Sequence, residues 1–233
     1  MDLLVDGAAA FGINLDAAQT EQFDLYYREL VDWNQRINLT TITEREQVET
    51  RHFLNSLAVH TALPAGTLSG GARVIDIGSG GGFPGLPLRI AFPQIRLTLA
   101  ESAGKRAAFL RHVIEAIGLS SVEVRSGRAE DLGREPQLRE GFDVVLARAV
   151  AKLPVLAELM LPFCRVGGLA VAHKGSDVAN EVQDAQHAIH ETGGTLGEVR
   201  PVGLTTSLVV IEKVSGTPDR FPRRPGIPAK RPL

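Results

Sequence analysis

At 233 residues and a formal net charge of −2, the chain is long enough for one large domain, or for one domain with an appendage. Hydrophobic content of 44% and charged content of 22% are ordinary for a globular protein, and no apolar run reaches the ~18–20 residues of a membrane span. The acidic start, Met1-Asp2-Leu3-Leu4-Val5-Asp6, lacks the basic region of a signal peptide. The single cysteine, Cys164, cannot close an intramolecular disulfide, and no Cys or His spacing suggests a metal, so a cytoplasmic protein without metal is expected.

Residues 1–65 contain no convincing strand and read as a helical extension. Asp16 can cap a helix through Gln35, with Phe23, Tyr26, Tyr27, Leu30 and Trp33 at helical spacing. Asn38-Leu39-Thr40-Thr41 breaks it, and Thr43 with Glu46 forms a capping box for a second helix to about Thr61. In that helix His52 lies one turn from Ser56, a spacing more typical of a hydrogen-bonded core histidine than of a functional one. Pro64, Gly66, Gly70 and Gly71 make a linker.

From 66 to 216 the pattern alternates. Strands are expected at Arg73–Ile77, Arg96–Ala100, Val122–Arg125, Phe142–Leu146 and Leu169–Ala172. Helices are expected from Pro84 to before Pro93, from about Ala103 to Ile117, from about Pro154 to Phe163, and from a Ser176 cap to before Gly193. Alternation of this kind predicts a mostly parallel sheet covered by helices on both faces. Two last β-like runs, Leu196–Val202 and Leu208–Val214, have no helix between them. They must pair antiparallel, because a parallel crossover needs about a dozen residues. Residues 217–233 form a basic tail in which Arg220, Arg223, Arg224, Lys230 and Arg231 are offset by one acid, Asp219.

The chemistry-bearing stretch is Val74 to Gly85, Val-Ile-Asp-Ile-Gly-Ser-Gly-Gly-Gly-Phe-Pro-Gly. A β-branched run entering clustered glycines and then a helix start is the pattern of a nucleotide-type site at the carboxyl edge of a sheet. Asp76 before Gly78-x-Gly80-x-Gly82 resembles motif I of S-adenosylmethionine methyltransferases, yet Gly80-x-Gly82-x-x-Gly85 also satisfies the NAD fingerprint. Glu101, about 20 residues after Gly82, serves a ribose in either reading. The antiparallel ending favours the class I methyltransferase fold, Rossmann-like with seven strands, over an NAD half-domain. After strand four stands Ala147-Arg148-Ala149-Val150. It has neither the Asn/Asp-Pro-Pro-aromatic motif that grips an exocyclic amine nor a Pro-Cys nucleophile, so a target that is already nucleophilic is expected, such as a ring nitrogen.

Taken together, Asp76–Gly85, Glu101 with Lys105-Arg106 and Phe109-Leu110, Gly127-Arg-Ala-Glu130 and Ala147–Val150 resemble the RsmG family, also called glucose-inhibited division protein B. Trp33-Asn34-x-x-Ile37-Asn38-Leu39-Thr40, Arg51–Leu57 and Phe221–Gly226 agree with it, so the resemblance spans nearly the whole chain. It implies methyl transfer from S-adenosylmethionine to N7 of guanine 527 in the 530 loop of 16S rRNA. The partner implied is 16S rRNA, the 30S subunit or an assembly intermediate.

The resemblance places cofactor contacts on Gly78, Phe83, the pair Ala129 and Glu130, and Arg148, with Glu101 at the ribose. Asp76 and Gly80 belong to the same loop and count as cofactor-side candidates. Arg148 and Lys174 are the positioning candidates. For Arg148 a contact with the methionine carboxylate or the substrate stands against a structural salt bridge. Arg223, Arg224, Lys230 and Arg231 are the expected RNA-backbone contacts. One position departs from the family pattern, where Asn55 stands in place of an acid. Competing readings are a small-molecule methyltransferase, an NAD(P)-dependent oxidoreductase and a non-catalytic RNA-binding module. A monomer is expected, since no unexplained amphipathic heptad remains.

Overall fold

The computed structural model describes residues 1–203 and 205–233. Its centre is a seven-stranded sheet: β1 (Arg73–Ile77), β2 (Arg96–Glu101), β3 (Val122–Ser126), β4 (Phe142–Arg148), β5 (Cys164–Gly175), β6 (Gly194–Val202) and β7 (Thr206–Lys213). The strand order is β3-β2-β1-β4-β5-β7-β6. Pairing is parallel from β3 through β5, and β7 is inserted antiparallel between β5 and β6. This is the class I methyltransferase sheet that the alternation and the helix-free last connection require.

Period-two alternation in the central strands feeds two cores. Val74, Leu97, Leu99, Val144 and Leu146 face one side. Ile75, Ile77, Val145 and Ala147 face the other, under α8 (Leu153–Met160) and α9 (Ala179–Glu191), which follow α6 (Gly104–Ala116) and α7 (Ala129–Leu132) in the chain. The first core also takes in the N-terminal helices α1 (Asp2–Ala10) and α2 (Ala17–Asn34) through Leu4, Phe23, Tyr26 and Leu30. The helical extension is therefore built into one face of the sheet and shares its core.

Asp16 caps α2 as expected, in a reciprocal box with Gln19. The second helix differs from its sequence reading. Its cap is Glu44, accepting from the Gln47 N–H, rather than Thr43. It runs as α3 (Arg45–Val48), a π-helical turn (Glu49–Leu54), α4 (Asn55–Leu57) and a 3₁₀ turn (Ala58–Ala62). A single wide turn leaves hydrophobic spacing nearly intact, so periodicity does not reveal it; such turns recur at functional sites. Ser176 does not cap α9, whose N-cap is Val178 without a side-chain bond. Strand β5 begins five residues earlier than expected, because Gly167 and Gly168 lie inside it. A register shift opposite Phe142 and Val144 falls here, and a Cβ on Gly168 would meet the Asp143 carbonyl at 2.9 Å.

After β7 the chain is a docked strap. Arg134 and Arg139 donate to backbone carbonyls from Thr217 to Pro222. Buried Lys213 donates to Glu140 Oε1 and Thr217 Oγ1 at 2.8 and 2.7 Å. The strap ends in α10 (Ile227–Lys230), against α8.

Candidate active site

The glycine loop leaves β1 and is held from below and behind. Gly78 N–H donates to the Ala100 carbonyl at 2.8 Å, and Tyr26 O–H from α2 donates to the Gly81 carbonyl. Gly78 and Gly80 have φ of +69° and +56°. A Cβ on Gly78 would sit 2.7 Å from Val150 Cγ2. Asp76 is wholly buried beneath the loop, where Oδ2 accepts from the Gly85 N–H at 2.9 Å. It borders neither of the two cavities at Gly78, and its carboxylate fixes the start of α5 (Gly85–Ala91).

Two cavities meet at Gly78. One, of about 250 Å³, is bounded by Gly78, Gly80, Phe83, His52, Arg106 and Arg148. The other, of about 210 Å³, is bounded by Gly78, Ser102, Ala129, Glu130, Val150 and, from the strap, Ala229. They lie at the carboxyl ends of β1, β2 and β4, where the strand order reverses and open α/β sheets take ligands. Glu101 ties the walls together: Oε2 accepts from Gly80 N–H at 2.9 Å and Oε1 from Ala103 N–H at 2.7 Å. Each carboxylate oxygen retains a further lone pair for a hydroxyl. Glu130 Oε1 accepts from Gly226 N–H at 2.9 Å, so the strap closes this end of the site.

Arg148 stands at the other end, beneath His52. Its Nη2 donates to the Arg51 carbonyl at 2.8 Å and to His52 Nδ1 at 3.2 Å. His52 Nε2 then donates to Thr40 Oγ1 at 2.7 Å, and the ring stacks on Phe83 with centroids 4.5 Å apart. Burial, then the Arg148 charge, lowers the His52 pKa to about 4, so the ring is neutral at pH 7. The spacing of His52 to Ser56 alone points to a core histidine. The signal for its role was the Asn38–Thr41 break, which brings Thr40 to its Nε2.

Two expectations need correction. Lys174 does not face a ligand: Nζ donates to the Ala151 carbonyl at 3.0 Å and pairs with Glu181 at 2.6 Å, its side chain 11% exposed. Glu181 also accepts from Leu153 N–H, so Lys174 braces α8 against α9. Arg223 is not available to a phosphate either, because its guanidinium grips Glu158 with bonds of 2.9 and 2.6 Å. Tyr26, placed at helical spacing with Phe23 and Leu30, is wholly buried in the packing of α2. Arg224, Lys230 and Arg231 are exposed, and among the described residues none is in an ion pair.

The titrating groups give a testable pH dependence. His52 and His173 both have pKa values lowered to about 4 by burial, from an ordinary 6.5. Between these values the unfolded chain binds protons that the folded one refuses, so stability falls as pH falls from 6.5. Asp76 opposes this. Burial raises it from 3.8 to about 7, and over that span the folded state holds the extra proton. Two histidines outweigh one carboxyl, so the melting temperature should drop on acidification from pH 6.5 to 4.5. Asp76→Asn should steepen the drop; a flat wild-type profile would contradict the assignment.

The family model for rRNA small subunit methyltransferase G matches residues 19–204. The ribosomal RNA small subunit methyltransferase G of Roseiflexus sp. (strain RS-1) is 51% identical, with 100% of both chains covered. That of Dehalococcoides mccartyi (strain CBDB1) is 47% identical, again over 100% of both. Among solved structures, a SAM dependent methyltransferase from Aquifex aeolicus aligns with a TM-score of 0.56 at 16% identity, over 73% of this chain and 94% of that one. At that identity the likeness is one of fold.

Proposed function

The chain belongs to the rRNA small subunit methyltransferase G family, and on that premise we propose that it methylates N7 of a guanine in 16S rRNA, guanine 527 by the family pattern. The methyl donor is S-adenosylmethionine. The observation that carries the reading is the pair of cavities meeting at Gly78, a position where a Cβ would strike Val150. Gly78, Gly80 and Phe83 would hold the methionine end, Glu101 the ribose, and Ala129 with Glu130 the adenine end. Bound there, S-adenosylmethionine supplies an electrophilic methyl on a sulfonium.

Guanine N7 has an in-plane lone pair and no proton, so this chain needs no general base. Its work is alignment of N7 with the methyl, an effect worth up to ~7–11 kcal/mol in favourable cases. As the N–C bond forms and the S–C bond breaks, positive charge passes to the base. Neutral His52 adds no further cation beside that charge, beyond the guanidinium groups of Arg106 and Arg148 that border the cavity.

The basic rim of the strap supports RNA as substrate. Removing Arg224, Lys230 and Arg231 together should flatten the salt dependence of RNA binding by about 2 in log–log slope, from ~0.7 per phosphate contact on single strands. Binding isotherms from 50 to 300 mM salt measure it. An unchanged slope would place RNA elsewhere. The reaction itself is tested with small subunits lacking the modification and methyl-labelled cofactor. Nucleoside digestion should yield label only in 7-methylguanosine; label in another base would refute the proposal.

A further inference from the structure

A third cavity, of about 460 Å³, lies on the far side of Arg148 from the glycine loop. Its apolar walls include Phe11, Ile42 and Leu54, and its polar ones Asn55, Arg148 and Thr206. Arg148 borders both this cavity and the one at Phe83, so the two are neighbours through a single guanidinium. Among the described residues, two buried side-chain atoms here have no hydrogen-bond partner: Arg148 Nη1, a donor, and Asn55 Oδ1, an acceptor. The Asn55 amide is oriented by Nδ2 donating to Thr206 Oγ1 at 3.1 Å. Buried polar atoms seldom stay without partners, so a donor and an acceptor left beside one cavity call for a ligand carrying the opposite pair.

Resting on the function proposed above, we infer that this cavity seats the extruded target guanine, with Arg148 Nη1 donating to O6 and Asn55 Oδ1 accepting from N1–H. Guanine presents that acceptor and donor side by side. Adenine presents an amino donor where Arg148 also has only donors, and a guanidinium cannot accept. O6 lies between N1 and N7 around the base edge. A base held at O6 by Arg148 and at N1 by Asn55 therefore turns N7 back towards the glycine-loop cavity. The apolar walls supply the stacking surface that replaces the base's neighbours in the RNA.

The two contacts differ in what they do for the reaction. Methylation makes the purine cationic and its N1–H a stronger donor, so the bond to Asn55 strengthens in the transition state. Arg148 sets which base enters. Loss of Asn55 should therefore fall on kcat more than on KM.

Asn55→Ala, Asn55→Asp and Ile42→Trp would be compared with wild type in methylation of small subunits lacking the mark. S-adenosylhomocysteine calorimetry and thermal melting on each variant report the cofactor site and the fold. Asn55→Ala should lose on the order of tenfold to a hundredfold in kcat, with S-adenosylhomocysteine affinity within about twofold of wild type. Asn55→Asp, which keeps the acceptor, should retain most activity. Ile42→Trp fills the cavity from its apolar wall, leaving Asn55 and Arg148 in place, and should lose methylation to a similar degree while binding S-adenosylhomocysteine. Undiminished methylation by Ile42→Trp, or by folded Asn55→Ala, would overturn the inference while leaving the function standing. No 7-methylguanine from the wild type would remove the function on which it rests.

Discussion

Gly78→Val is expected to abolish methyl transfer, with S-adenosylhomocysteine binding lost in calorimetry and RNA affinity held within about twofold. Two independent faults meet at this position. The backbone sits at φ +69°, a region β-branched residues strongly avoid. The new Cβ would also lie 2.7 Å from Val150 Cγ2, at the point where the two cavities meet. The exposed cations of the strap, Arg224, Lys230 and Arg231, are untouched by the change. Methylation surviving in a folded Gly78→Val protein would reduce the loop to a simple turn.

Arg223→Ala should act on stability rather than on RNA. The Arg223 side chain is 25% exposed, but its partner Glu158 is 1% exposed and accepts both the guanidinium and the Arg223 N–H. Removing the guanidinium leaves a carboxylate buried in α8 with one backbone donor. Loss of one partner of a buried pair costs about 3–5 kcal/mol, and partial exposure of the arginine places this case near 3. For a chain of this size that is a fall of about 6–12 °C in melting temperature. The salt slope of RNA binding should stay at the wild-type value. A variant that melts normally and binds RNA with a reduced slope would return Arg223 to the phosphate-contacting set.

These two cases divide what the sequence reveals from what it hides. Gly78 was legible because its constraint is local: a strand ending in glycines before a helix has few physical uses. The sense of the strand pairing was legible for a similar reason, since strand–helix alternation forces parallel pairing and the missing last helix forces an antiparallel end. Arg223 and Lys174 were misread because their partners, Glu158 and Glu181, lie 65 and 7 residues away on helices whose approach only tertiary packing decides. A basic residue in a sequence shows its charge and not the carboxylate that neutralises it. His52 was hidden by the π-helical turn, which places it beside Arg148 without altering the hydrophobic pattern. The third cavity was illegible altogether, because Arg148, Asn55 and Thr206 meet only when β4, α4 and β7 pack together.

The most direct test incubates wild-type protein and Gly78→Val with small subunits lacking the modification and methyl-labelled S-adenosylmethionine. The 16S rRNA is then cleaved by borohydride and aniline, which cut at 7-methylguanine. Wild type should give one cleavage, at guanine 527 in the 530 loop, stoichiometric with the label, and Gly78→Val none. Label without cleavage at a guanine, or equal cleavage by both proteins, would contradict the account.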